Sequence, residues 1–145
     1  MSQPLPILLV TVVPFLPLVA WGGFLFAKAR RSTAWPLLPA TIVESRVLKQ
    51  GNTRKPRLAF DYQVAAQRHV GRRLWVGPTS ISTSGDWADR VVARFPVGAS
   101  VRVAVDPADA SYAVLEPGLR AMHWLLLWIA AAVMGGGLVI AMMAG

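Results

Sequence analysis

Residues 79–84 read Thr-Ser-Ile-Ser-Thr-Ser, a hydroxyl-rich run that could ligate a phosphate. It lacks the glycine-rich cradle with which a Walker loop aims backbone N–H groups at phosphate oxygens, so it reads as a connection. A serine nucleophile needs a base within hydrogen-bond reach and a third group to orient that base. His69 is the one histidine in the polar part of the chain; it stands beside a predicted turn, and no G-x-S-x-G elbow is present. Two carboxylate pairs, Asp86/Asp89 and Asp106/Asp109, have a spacing open to acid–base work. Each has a simpler role, the first at a helix start and the second in a turn. There is no cysteine, which excludes disulfides and thiolate metal sites. His69 and His123 are far apart and neither sits in a ligand-like cluster. The sequence therefore assigns no catalytic residue, no cofactor and no metal, and its reading is non-enzymatic.

Charge is the next feature that can do chemistry. Fifteen basic and seven acidic side chains, net +8, all fall between Lys28 and Arg120. The excess of arginine over lysine suggests a GC-rich bacterial genome. Three groups stand out as candidate membrane-surface or partner-binding residues: Lys28, Arg30 and Arg31; Arg54, Lys55 and Arg57; and Arg68, Arg72 and Arg73. Against an anionic leaflet each well-placed cation is worth roughly 1 kcal/mol. Nucleic-acid binding would want the cations interleaved with exposed aromatics on one face. The second and third groups can instead fall at opposite ends of one hairpin, which disfavours that reading.

The elements that must carry these residues read as β-rich. Over 57–64, Leu58, Phe60, Tyr62 and Val64 alternate with Arg57, Asp61 and Gln63, the period of a half-buried strand. A turn near 65–68 leads into 69–76, where Val70, Leu74 and Val76 share a face with Arg72 as the exception, so the two runs predict a hairpin. Upstream, 41–48 predicts a strand with Val43 and Val47 on one side and Glu44 and Arg46 on the other. Downstream, Ala99, Val101, Val103 and Val105 alternate with Ser100 and Arg102, Asp106-Pro107 marks a turn, and 111–115 gives a last strand. One helix interrupts the strands over 86–95. Its stripe of Trp87, Val91 and Phe95 has helical period, Asp86 and Asp89 suit its first turn and Arg90 and Arg94 its last. Ser84 or Thr83 can cap it, and Pro96 and Gly98 end it. It is expected to plug one end or face of a small curved sheet.

The polar region is flanked by two apolar segments, 5–27 and 121–144, each near the roughly 20 residues that cross a bilayer. The expected organisation is a short outer tail (1–4), a first transmembrane helix (5–27), a basic β-rich domain (28–120, core about 35–118) and a second transmembrane helix (121–144). Pro14 and Pro17 fall midway along the first and predict a kink. Trp21, Trp124 and Trp128 suit interfacial anchoring. In the second, Ala132 with Gly136 and Gly137 with Ala141 give the small-xxx-small spacing that lets helices approach closely, with the first helix or a second copy as partner. Cations beside both inner ends place the middle domain in the cytoplasm and both termini outside. The fold class expected is thus an α+β membrane protein, two transmembrane helices flanking a small antiparallel barrel-like or sandwich-like domain with one short helix, placed multi-pass in a bacterial inner membrane.

Several of these segments together resemble a known family. Ala34-Trp35-Pro36 followed by Ala40-Thr41-Ile42-Val43-Glu44-Ser45 is similar to a W-P-x-x-x-A-x-I-x-x-S opening. Phe60-Asp61-Tyr62-Gln63-Val64 takes the place of a Y-x-Y-x-V strand. Phe95-Pro96-Val97-Gly98, Val101-Arg102-Val103, Asp106-Pro107 and Ala113-Val114-Leu115-Glu116-Pro117-Gly118 resemble its closing signature. The family is domain of unknown function 3592, which places a small β-rich domain between or beside transmembrane helices. The resemblance implies architecture and no catalytic residues. The function expected is a two-pass membrane protein whose basic domain binds a protein partner, as an accessory subunit or an immunity-type protein, with membrane lipids as further partners. An oligomeric channel or transporter component is the alternative, and a membrane-tethered enzyme a further one.

Overall fold

A computed structural model describes residues 13–78 and 85–143, the side chains of Leu138 and Ala141 excepted. The proposed caps Ser84 and Thr83 and the hydroxyl run lie outside the described residues. The chain divides into two compact units, Ala29–Gly118 and the flanking segments up to Lys28 and from Leu119.

Unit Ala29–Gly118 is one five-stranded antiparallel sheet, with strands β1 (Leu37–Gln50), β2 (Thr53–Val64), β3 (Gln67–Gly71), β4 (Ser100–Asp106) and β5 (Asp109–Val114) in the order β3-β2-β1-β4-β5. The 14-residue β1 is the shared strand. Its first part pairs with β4, from Leu37↔Ala104 to Thr41↔Ser100, and nearly all of it pairs with β2, from Ala40↔Tyr62 to Gln50↔Thr53. The two parts overlap at Ala40 and Thr41, and a bulge between Ile42 and Glu44 interrupts the β1–β2 ladder just beyond. Val43 is the extra residue and is 45% exposed, so the alternation expected of 41–48 breaks there. Beyond the bulge Glu44 and Arg46 share the outer face with Arg57, and Ser45 turns towards the helix, its hydroxyl donating to the Val92 carbonyl at 3.4 Å. That helix, α2 (Trp87–Arg94), buries Ala88 and Val91 and packs on β1 and β2.

The core lies inside the curve of the sheet: Ile42, Phe60, Tyr62, Val103, Val105 and Val114 are all buried. Ala65 and Ala66 form the β2–β3 turn with φ of 48° and 66°. Positive φ at both central residues is the geometry of a two-residue hairpin turn, and it fixes Tyr62 opposite His69 and Phe60 opposite Gly71. The face expected of 69–76 is therefore corrected. His69 stacks on Tyr62 at 5.5 Å, Val70 points outwards at 56% exposure, and only Leu74 and Val76 of that set are buried.

The sheet remains open, so the barrel-like or sandwich-like domain is also corrected. No ladder joins β3 to β5; the chain leaves β3 at Gly71, and one isolated parallel bridge, Arg73 with Val114, spans the seam. Backbone N–H groups of Leu115 and Glu116 donate to the carbonyls of Arg73 and Leu74 at 3.1 and 2.7 Å just beyond it.

The other unit holds two antiparallel helical segments. Helix α1 runs Leu16–Arg31, its last residues belonging to the first unit, and α3 runs Ala121–Met143. Phe26 meets Trp124 edge-on at 5.2 Å, and Gly22 faces the Leu126 Cβ. His123 is buried, and its Nδ1 accepts the Arg120 N–H at 2.9 Å, capping the start of α3 from its third position. Pro14 lies in a 3₁₀ turn (Val13–Phe15) and Pro17 in the first turn of α1, where proline costs no hydrogen bond; the expected mid-helix kink is replaced by a helix start. Among the described residues no helix is long and apolar enough to cross a membrane. With 16 residues ending on Lys28, Arg30 and Arg31, α1 is short of the roughly 20 apolar residues a crossing takes. The two transmembrane helices are corrected accordingly, and with them the multi-pass inner-membrane placement, the cytoplasmic middle domain and the outer termini.

Candidate functional site

The three basic groups of the sequence are dispersed by the fold. Lys28, Arg30 and Arg31 lie in the last turns of α1, with the Lys28 Nζ 6.0 Å from the Phe24 ring centre. Arg54 and Lys55 lie near the tip of the β1–β2 hairpin. Arg54 donates to Asp89 of α2 at 2.6 Å, while Lys55 has no ion pair among the described residues. Arg57 shares Glu44 with Arg46, at 3.2 and 2.9 Å. Arg68 pairs with Asp61 across β2 and β3 at 2.5 Å. The Arg68 hydrogen bond holds the Asp61 carboxyl below its ordinary pKa, and Asp61 raises that of Arg68 in turn.

Arg72 and Arg73 follow the end of β3, and the structure brings them to the open seam. There Val70, Gly71, Arg72 and Arg73 face Ser111 and Ala113 of β5 around an open pocket of about 250 Å³. The Arg73 guanidinium lies over the Tyr112 ring at 4.6 Å, and its Nη1 donates to the Gly77 carbonyl at 3.5 Å. Tyr112 is held edge-on by buried Trp35 at 5.9 Å and 89°. Tyr62 crosses beneath, its hydroxyl donating to the Ala110 carbonyl of β5 at 2.7 Å, and burial raises its pKa.

The carboxylate pairs take structural work. Asp86 pairs with Arg90 one turn on, and Asp89 holds Arg54. Asp106 Oδ1 accepts the Ala108 N–H, and Asp109 Oδ1 accepts the N–H and hydroxyl of Ser111, the Asx-turn geometry expected of a β4–β5 hairpin. His69 lies against Tyr62 with Nε2 buried, and no serine or carboxylate hydrogen-bonds it among the described residues. Of the helix-packing candidates, Ala132 is exposed and a Cβ on Gly136 would meet nothing within 4 Å. Gly137 lies on α3, and the side chain of Ala141 falls outside the described residues.

Sequence reasoning passed over three positions. Ser32 is fully buried; its hydroxyl donates to the Ala29 carbonyl at 2.6 Å and accepts the Gly118 N–H at 2.8 Å. Nothing in a Ser-Thr dipeptide after a basic run signals this. Gly71 gives way to the Phe60 ring, which would lie 2.3 Å from a Cβ there; a lone glycine in a strand pattern is the available cue. Tyr112 was visible only as one residue of a short strand.

A β1-centred antiparallel sheet in the order β3-β2-β1-β4-β5, with a helix between β3 and β4 and an open β3–β5 seam, has Greek-key connectivity. The class defined is a small open Greek-key β-domain with one helix, and fold alone does not choose the ligand. Within that class, the sequence model described as Domain of unknown function (DUF3592) matches residues 39–120, more than half of the chain, and the protein belongs to this family. No curated protein and no solved structure matches the chain.

Proposed function

We propose that this protein is a non-enzymatic binding module whose basic β-domain engages a protein partner. The distribution of charge on the domain carries the reading. Glu44, Asp61, Asp86, Asp89 and Glu116 are committed to arginines of the same domain. Asp106 and Asp109 are committed to turns. Lys49, Lys55, Arg72, Arg73 and Arg102 have no acidic partner among the described residues, so the positive excess remains available at the surface. Rim charges of this kind steer association and select partners of complementary sign. A single-stranded nucleic acid would need aromatic rings to stack on, but Phe60 and Tyr62, the aromatics of β2, are buried.

Crosslinking in cells that make the protein, followed by mass spectrometry, tests the reading. One reproducible partner other than the chain itself is expected. Recovery of self-crosslinks alone would overturn it.

A further inference from the structure

We propose that the pocket at the β3–β5 seam receives a carboxylate side chain from an acidic, extended segment of the partner protein. This rests on the protein-binding reading and gives it a place and a chemistry.

The pocket has room for one or two side chains, about 250 Å³. Two guanidinium groups line it and no acidic side chain does. The domain spends its carboxylates elsewhere, although Asp109 lies on β5 at the seam and Asp61 on β2 beside β3: Asp61 holds Arg68 and Asp109 folds back on Ser111. Arg72 is exposed, with no hydrogen bond or ion pair among the described residues. Arg73 is already oriented, stacked on Tyr112 with Trp35 behind it. A stacked guanidinium keeps in-plane N–H donors, and its planar fork matches a carboxylate in two-point contact. Holding it in place beforehand lowers the entropy lost on binding.

The remaining walls argue for a protein segment over a free anion. Val70, 56% exposed, offers apolar contact to the methylenes of a glutamate. On either side run β3 and β5, the two edge strands of the sheet, whose outer backbone groups can pair with an extended chain.

The test uses the full chain in mild detergent and fluorescence anisotropy. The probe is a labelled peptide alternating glutamate and valine, compared with its glutamine counterpart and with inorganic phosphate as competitor. The acidic peptide is expected to bind. Arg72→Ala should weaken it about tenfold, the loss of one charge-assisted contact, and adding Arg73→Ala should weaken it further. Arg46→Ala with Arg90→Ala removes equal charge from exposed arginines that sit on acids away from the seam and should leave binding within about threefold. Equal losses from both double variants would overturn the pocket and leave a diffuse basic surface. Equal binding of the glutamine peptide, or binding of phosphate without the acidic peptide, would also overturn it. Failure of this kind with a partner still recovered by crosslinking sinks the pocket alone; failure of the crosslinking strikes the protein-binding reading itself.

Discussion

Gly71 and Phe60 occupy one volume between them. A methyl at Gly71 would lie 2.3 Å from a ring carbon of fully buried Phe60, so the ring or strand β3 must move. Gly71→Ala should cost about 1–3 kcal/mol, the usual range for overpacking, read as a lower urea midpoint. Gly71→Ala with Phe60→Leu should recover part of that loss. Ser32→Ala removes two hydrogen bonds and leaves the Gly118 N–H without its buried acceptor. A loss of about 1–3 kcal/mol follows from orphaning a buried donor, measurable in the same way. Asp61 gives a pH signature. Its carboxyl titrates below the ordinary value in the folded state because Arg68 hydrogen-bonds it. The pair's contribution is complete above the ordinary carboxylate pKa and fades as pH falls through the lowered one. Asp61→Asn should therefore lower the unfolding midpoint at neutral pH and lower it less in acid.

The β2–β3 turn is built from residues poorly suited to it. Ala65 and Ala66 both sit at positive φ, where a Cβ is disfavoured and Asn-Gly is the preferred pair. Ala65→Asn with Ala66→Gly should stabilise the domain by about 1 kcal/mol, net of the greater freedom glycine gains when unfolded, seen as a raised melting midpoint. The same turn explains where strand reading succeeded and where it slipped. Leu58, Phe60 and Tyr62 alternate without interruption, and the structure buries all three. Over 69–76 the alternation gave Val70 the inner face, because a period of two does not carry its own phase. The turn sets the phase, and it puts His69 and Gly71 inside. In β1 the pattern failed at Val43 for a related reason: a bulge adds one residue without any change in composition to mark it. The helix over 86–95 was readable because several signals coincide there, an apolar stripe, acids at its start, a base at its end and Pro96 beyond. The seam pocket was not readable. Arg72 and Arg73 were visible as a basic cluster, but Ser111 and Ala113 meet them only after the sheet has curled.

Two units with different surfaces make up the protein. The β-domain closes a compact core within 29–118. The helical segments leave large apolar side chains uncovered, Phe24 at 61% and Trp128 at 71% exposure among them. Exposed apolar area of this extent drives association in water. The full chain is therefore expected to need detergent or to self-associate on size-exclusion chromatography. A fragment covering 29–118 should run as a monomer and unfold in one cooperative step. A dispersed full-length monomer in plain buffer would contradict the first expectation, and a fragment without a cooperative transition the second. The outer segments also show how far sequence alone can mislead. Composition made each look like a complete crossing, yet the first described helix starts only at Leu16 and ends in cations.

The Ser32 hydroxyl that receives the Gly118 N–H joins the first residues of the β-domain to its last. The polypeptide thus enters and leaves this domain at a single doorway, one hydrogen bond wide. A tug on the two flanking segments would load that clasp before it reached any strand. The same doorway makes the domain portable: spliced into the tip of a host protein's surface hairpin, it should fold there with its seam intact.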